Sequence, residues 1–248
     1  MEVLPLTLKD AIITIYKTVC RLYLTPLLFY EWKKPLFNNI NERVIEYEFA
    51  LRSLSKLCGS EVLDVGTGST AWPHILANCG FRVTAIDKMS YSKSGFFNRH
   101  YYVVNNDITK PTITRKFDII TCISVLEHIK EHDAAVRGMF SLLRFGGHLI
   151  LTFPYNERMY INNVYELPNA GYGKNKPYIC QVFSRKEIEG WMKENCGRII
   201  NQEYYEVFTG DLWTFGNRIY PPRQVTKDEK HHLTCLLVQK AGRIGSDN

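Results

Sequence analysis

The chain has 248 residues, long enough for one sizeable α/β domain with an added segment and too short for two full enzyme domains. At 45% hydrophobic and 23% charged residues its composition is ordinary for a globular protein, which excludes wholesale disorder. The net charge of +6 suits an anionic substrate or surface, but the basic residues are scattered rather than bunched, which argues against nucleic-acid binding.

No small-residue cleavage site follows an apolar run at the amino terminus, so no signal peptide is expected. Residues Leu8 to Leu24 place Leu8, Ile12, Tyr16, Val19 and Tyr23 on one helical face, with Lys9, Lys17 and Arg21 off it. These charges argue against a membrane span. They leave open a helix packed on its own domain, a lid, a dimer contact or a peripheral membrane helix. A second helix is expected over Asn41 to Leu57, with Val44, Phe49, Leu51 and Leu54 as its packing residues.

That helix delivers the chain into the apolar strand Glu61–Val65, the turn Gly66-Thr67-Gly68-Ser69-Thr70, and a short helix from Ala71 to Asn78 with Pro73 near its start. Strand, glycine turn and helix open a nucleotide-type α/β sheet. Glycine lets backbone N–H groups approach a ligand closely, because no Cβ stands in the way. Gly66-x-Gly68-x-x-Ala71 also fits a dinucleotide fingerprint, which keeps a nicotinamide-dependent oxidoreductase as a distant rival. Asp64 separates the two, since a carboxylate two residues before the first glycine repels a pyrophosphate. It welcomes a ligand that carries an ammonium and a sulfonium and no phosphate, and S-adenosylmethionine is such a ligand.

Further strands are expected at Arg82–Ile86, closed by Asp87, and at Tyr101–Val104, ending near Asn106-Asp107-Ile108. A fourth at Phe117–Ile123 is apolar enough to be central. Asp87 falls at a strand end, where a carboxylate accepts from ribose hydroxyls. A helix from Asp133 to Leu143, stopped by Gly146-Gly147, precedes a fifth strand at His148–Phe153. Ser184-Arg185-Lys186-Glu187 is a capping box that opens a helix to Asn195. Two more strands fall near Ile199–Val207 and Leu233–Val238, and Arg243 to Asn248 reads as a loose tail. The domain plan is therefore a helical segment over 1–58, a main domain over 59–242 with substrate-side insertions at about 155–182 and 208–230, and the tail.

The seven cysteines include no Cys-x-x-Cys pair, so neither a zinc site nor a disulfide framework is indicated, and a reducing, cytoplasmic setting follows. His231-His232 is not expected to hold a metal, because adjacent residues of a strand point oppositely.

The strand ends form a series: Val62-Leu63-Asp64-Val65-Gly66-Thr67-Gly68, Val83-Thr84-Ala85-Ile86-Asp87, Asn106-Asp107-Ile108, Ser124-Val125-Leu126-Glu127-His128-Ile129, and Leu142-Leu143-Arg144-Phe145-Gly146-Gly147. Five motifs in this order resemble class I S-adenosylmethionine-dependent methyltransferases of the small-molecule type, from about Glu61 to Phe153. The Asn41–Leu57 helix and the carboxyl-terminal part resemble, more faintly, bacterial glycan and surface-polysaccharide gene products. Thr67 and Phe145 depart from the pattern, at a residue often cysteine or glycine and at a frequent proline.

The resemblance implies a Rossmann-like, doubly wound, seven-stranded α/β sheet with its last strand antiparallel. It implies S-adenosyl-L-methionine as cofactor and S-adenosyl-L-homocysteine as product. Asp64, Gly66, Thr67 and Gly68 would hold the methionine part, and Asp87 the ribose, with Lys88 and Met89 beside the adenine. Asp107 would accept from the adenine amino group, Ile108 would flank the ring, and Ser124 and Val125 would lie under the sulfonium.

Methyl transfer from a sulfonium needs alignment and exclusion of water, because the sulfur leaves as a neutral thioether. A general base helps if the acceptor is an alcohol. His128, after the fourth strand, is the candidate. Metal dependence is not expected, since no carboxylate cluster follows that strand. Tyr155, Trp213, Arg218 and Arg223 are the candidate substrate residues, aromatic faces suiting sugars or planar rings and arginines suiting phosphate or carboxylate. The expected reaction is O-methylation of a sugar, glycan or other small molecule. The alternatives are a quinone-like or natural-product acceptor, or a non-catalytic scaffold that binds the cofactor.

Overall fold

The computed structural model describes residues 7–33, 40–68, 70–88 and 103–241. Met89, Ser69, Tyr101, Tyr102 and the tail 243–248 lie outside the described residues. The chain forms two compact units, Met1–Asn39 and Ile40–Asn248.

The first unit contains helix α1, Leu8–Lys33. Its start is capped reciprocally: the Thr7 hydroxyl accepts from the Asp10 amide (3.2 Å), and the Asp10 carboxylate accepts from the Thr7 amide (3.0 Å). The helix continues past Leu24 and through Pro26, further than its apolar periodicity indicates. Leu8, Ile12, Tyr16, Val19 and Tyr23 are all exposed on it. Among the described residues, no helix is long and apolar enough to cross a membrane.

The second unit is an eight-stranded sheet with helices on both faces. Its elements are α2 (Arg43–Leu54), β1 (Glu61–Val65), α3 (Trp72–Asn78), β2 (Arg82–Asp87), β3 (Val103–Asn105), β4 (Phe117–Ile123), α4 (His132–Leu142), β5 (Leu143–Pro154), α5 (Arg185–Asn195), β6 (Gly197–Phe208), β7 (Arg218–Val225) and β8 (Leu233–Lys240). The strand order is β3-β2-β1-β4-β5-β8-β6-β7. β1 pairs in parallel with β2 and β4, and β4 with β5, whereas β8 runs antiparallel between β5 and β6. The reversal of strand order between β1 and β4 opens a crevice at the carboxyl ends of these strands.

One strand is added to the seven expected. β7 contains Pro221-Pro222, a pair that argues against a strand interior, and it is accommodated because β7 is the sheet edge, where no further strand needs its N–H groups. Val62 and Leu63 illustrate how the central strands are buried on both sides. Leu63 joins a core with Val136, Met139, Ile188 and Trp191 from α4 and α5, and Val62 joins a second core with Phe49, Leu54, Trp72 and Leu76 from α2 and α3.

Helix α2 sits in the second core, with Glu46, Phe49, Ala50, Ser53 and Leu54 buried. The expected packing residues Val44 and Leu51 are exposed. The helix is turned so that a carboxylate faces inward, and the site explains why.

Candidate functional site

The turn after β1 is shaped by what cannot fit into it. Gly66 has φ +72°, and a Cβ there would lie 2.2 Å from a Val125 methyl. Gly68 also has positive φ, at +54°. The Gly66 and Thr67 amides both donate to the Ile86 carbonyl, at 2.8 and 3.3 Å, and Thr67 is buried. The Gly68 amide donates to the Asp87 carboxylate at 2.9 Å. The ends of β1 and β2 are thereby locked together, bringing Asp64, Gly66, Thr67, Gly68 and Asp87 to one edge with Val125 behind the turn. Glycine at position 66 lets the turn pack directly on Val125, and the edge so formed is bordered by two acids, which suits a cationic amino-acid moiety.

Asp64 is buried in β1, and burial pushes its carboxyl up to about 7. The Thr121 hydroxyl, which donates to it at 2.7 Å, only partly offsets this. Thr121 in turn accepts from the Trp72 indole at 3.2 Å, and Trp72 stacks on Tyr47 of α2 with ring centroids 4.7 Å apart. A positive charge beside a carboxyl raised by burial favours its ionised form.

On the adenine side of the expected site, Lys88 and Asp107 pair at 2.9 Å. Burial works to raise the Asp107 carboxyl, but Lys88 together with the amide and hydroxyl of Thr109 outweighs it and holds the group at about 2. Ile108 is buried, and its carbonyl lies where a Cβ of Gly138 would come within 1.9 Å, so α4 approaches this loop because residue 138 is glycine.

Ser124, with φ +47°, turns the chain out of β4. Its amide donates to the Thr152 carbonyl (3.0 Å) and its hydroxyl to Glu46 (2.5 Å). Glu46 also accepts from the Thr152 hydroxyl (2.7 Å) and from Arg43 (2.9 Å), which reaches the Ile123 carbonyl at 3.0 Å. The inward-facing carboxylate of α2 therefore ties the carboxyl ends of β4 and β5 together. Tyr47, Arg43 and Glu46 were not among the residues picked out from the sequence. The signal was present in the i, i+3 spacing of Arg43, Glu46 and Phe49, which puts an ion pair on the same face as a core aromatic.

His128 ends the short 3₁₀ turn Leu126–His128. Its Nδ1–H donates to the Ile179 carbonyl at 2.6 Å, a tautomer assigned from that bond, which leaves Nε2 with its lone pair. Burial lowers its pKa, so the ring is neutral at pH 7. Nε2 lies 3.8 Å from Glu127, whose buried carboxyl is raised to about 8 and has one oxygen without a partner among the described residues. A neutral imidazole beside a protonated acid is able to accept a proton from an alcohol.

The four expected substrate residues are not brought together. Tyr155 is buried, donates to Glu157 at 2.7 Å and stacks on His231 at 5.4 Å, in a network completed by Arg185. Arg223 pairs with Glu206 at the outer edge of the sheet. Arg218 forms an ion pair with Glu42 at the start of α2 and lies over Phe208 (4.9 Å) and Tyr172 (5.7 Å). Trp213 packs edge-on against the same Phe208 at 5.1 Å. Rings continue from there to the candidate base: Phe208–Tyr172 at 6.1 Å, Tyr172–Tyr165 at 6.0 Å, Tyr165–Tyr178 at 6.4 Å and Tyr178–His128 at 4.6 Å. Trp213 and Arg218 thus belong to one aromatic wall with His128, while Tyr155 and Arg223 stand apart from it. His232 accepts from the Val207 and Phe208 amides and bonds the Gly210 carbonyl, so both ring nitrogens hold the backbone. Among the described residues no cluster of His, Cys, Asp and Glu is arranged to hold a metal ion.

Residues 39–195 match a family described as a methyltransferase domain. Ubiquinone biosynthesis O-methyltransferases are similar in sequence. That of Pseudomonas fluorescens is 28% identical over 115 residues, 42% of this chain and 49% of the relative. That of Xanthomonas euvesicatoria pv. vesicatoria is 32% identical over 129 residues, 48% and 52% of the two. The chain spans about half the length of the curated relatives it matches. Among solved structures, the N-methyltransferase NodS of Bradyrhizobium japonicum in complex with S-adenosylhomocysteine superposes with a TM-score of 0.54 at 17% identity, covering 84% of this chain and 92% of that one. An S-adenosylmethionine-dependent methyltransferase of Clostridium acetobutylicum gives 0.54 at 15% identity, covering 88% and 99%.

Proposed function

The chain belongs to the methyltransferase domain family, of class I S-adenosylmethionine-dependent fold, and from that premise we propose that it methylates a hydroxyl group of a small-molecule acceptor. The observation that carries the reading is His128, whose Nδ1 is committed to Ile179 while Nε2 keeps its lone pair at the end of an aromatic wall.

S-adenosylmethionine, when bound, supplies an electrophilic methyl group and takes the bonding electron pair away as a neutral thioether. Asp64 receives the cationic amino-acid end against the glycine turn, and Asp87 the ribose. Lys88, Asp107 and Ile108 border the adenine. The Glu46 clamp holds Ser124 and Val125 in the turn behind the reacting centre. His128 Nε2 takes the acceptor proton as the oxygen attacks the methyl group, and the imidazolium so formed then gives that proton to solvent. The ring wall excludes water and orients the acceptor.

The aromatic wall and the polar groups around it favour a sugar, glycan or glycolipid intermediate, whose apolar ring faces stack on tyrosines. A quinone-like ring is the second reading, favoured by the similarity to ubiquinone O-methyltransferases. Transfer of labelled methyl groups to a panel of sugar nucleotides, glycans and dihydroxy aromatic rings separates them. Label on neither class, with cofactor still bound, would remove the O-methylation reading.

A further inference from the structure

Arg218 has the chemistry to meet an anionic acceptor, yet its charge is committed to Glu42 and its flat faces to Phe208 and Tyr172. Its guanidinium also donates to the Tyr172 hydroxyl at 3.1 Å. Tyr172 belongs to the segment Ala170-Gly171-Tyr172-Gly173-Lys174-Asn175-Lys176, which lines a cavity of about 470 Å³. None of the expected cofactor residues lines it.

The segment is seated by its two glycines. The Gly171 amide donates to the Thr214 carbonyl at 2.9 Å, and a Cβ at Gly171 would come within 2.7 Å of that oxygen. Gly173 has φ +93° and lies against the Tyr165 ring, where a Cβ would come within 2.2 Å. The Lys176 amide then closes a turn onto the Gly173 carbonyl at 3.0 Å. Two lysines project from a loop fixed in this way. Lys174 spends one of its three ammonium donors on the Pro168 carbonyl at 3.0 Å. Neither Lys174 nor Lys176 pairs with a carboxylate among the described residues, unlike Arg43, Arg52, Arg185, Arg218 and Arg223. Two cations with no carboxylate partner among the described residues, and an amide, line one cavity; they match a dianion, and lysine serves phosphate as a point charge.

We propose that the cavity of residues 170–176 is a phosphate subsite of the acceptor side, in which Lys174, Lys176 and Asn175 hold a phosphate group while Tyr172 packs on the ring that carries it. This rests on the reading of the aromatic wall as the acceptor side. Phosphate carried by the acceptor and free phosphate share this chemistry, and the probes separate them.

The test is calorimetric titration of the full chain at low salt with glucose 1-phosphate, glucose and inorganic phosphate. It compares the unsubstituted chain, Lys174→Ala/Lys176→Ala, and Lys56→Ala/Lys193→Ala, which removes the same charge from exposed positions elsewhere. Glucose 1-phosphate is expected to bind more tightly than inorganic phosphate. Its affinity falls at least about tenfold in the loop variant, as expected for two lost charge contacts, and is unchanged in the control. Equal weakening in both variants, or no phosphate binding at all, overturns the site. Inorganic phosphate binding as tightly as the sugar phosphate overturns its assignment to the acceptor. S-adenosylhomocysteine titrated in parallel keeps its affinity in every variant, and its failure to bind would count against the methyltransferase reading independently.

Discussion

The glycine turn after β1 and the aromatic wall between β5 and β7 are built in opposite ways. The turn is made by backbone: two positive φ angles, a contact that excludes a Cβ, and amides that lace β1 to β2. The wall is made by side chains that meet from far apart, as Arg218 and Glu42 do across 176 residues. A site made by backbone tolerates one residue type at each key position and is fragile there. A site made by side chains spreads its energy over many contacts and yields gradually.

The sharpest way to break this contrast is Gly66→Ala. The methyl overlaps Val125 and the backbone is strained at φ +72°, so cofactor affinity should fall by about a hundredfold or more, with a lower melting temperature. Trimming Val125 to Ala in the same chain should recover part of the loss, a coupling that a thermal-shift and calorimetry cycle reads directly. Independent, additive effects would mean that the contact is not what makes the glycine necessary.

His128→Asn tests the other end. Turnover should drop by about 10²–10⁴ while S-adenosylhomocysteine binds as before. Because burial sets the pKa of His128 below its ordinary 6.5, the unsubstituted enzyme should lose turnover only as pH falls through that lowered value. A substituted enzyme with the same pH limb would take the base away from His128.

Asp64→Asn separates binding from folding. Cofactor affinity should fall by roughly tenfold to a hundredfold for loss of a charge-assisted bond. The stability of the ligand-free chain should move the other way. The folded carboxyl titrates near 7 against an ordinary 3.8, so its stabilising share is complete below pH 3.8 and is lost as pH rises to about 7. At pH 8 the asparagine variant should therefore be more stable, by up to a few kcal/mol at 1.36 kcal/mol per pKa unit. Denaturant curves at pH 5 and pH 8 provide the check.

Arg223→Ala should do least. Its pair with Glu206 is at the exposed sheet edge and contributes less than about 1 kcal/mol. No change in acceptor kinetics is expected, and a large rise in KM would extend the acceptor side out to β7.

The same contrast explains what was legible in the sequence. Asp64, Gly66, Gly68 and Asp87 stand at strand ends that apolar patterning locates, and the Ser184–Glu187 capping box forms as its residues indicate. Those signals are local, and local geometry alone satisfies them. Glu46 was hidden because its partners Ser124 and Thr152 lie 78 and 106 residues away, so helical periodicity favoured Val44 and Leu51 instead. β7 was missed because its two prolines read as a loop unless its place at the sheet edge is known. Tyr155, Trp213, Arg218 and Arg223 were grouped by composition, but nothing in composition says which of them faces Phe208 and which faces Glu206. Aromatic residues announce a packed surface and leave its partners to tertiary structure.

Calorimetric binding of S-adenosylmethionine to the unsubstituted chain, with Asp87→Ala beside it and NAD(P) as the competing ligand, decides whether the glycine turn is a cofactor site. Saturable binding of S-adenosylmethionine is expected, about tenfold or more weaker once the Asp87 carboxylate that joins Gly68 is gone, with no binding of NAD(P). A well-folded chain that ignores S-adenosylmethionine, or binds it equally well without Asp87, would mean that the turn and Asp87 do not hold the cofactor.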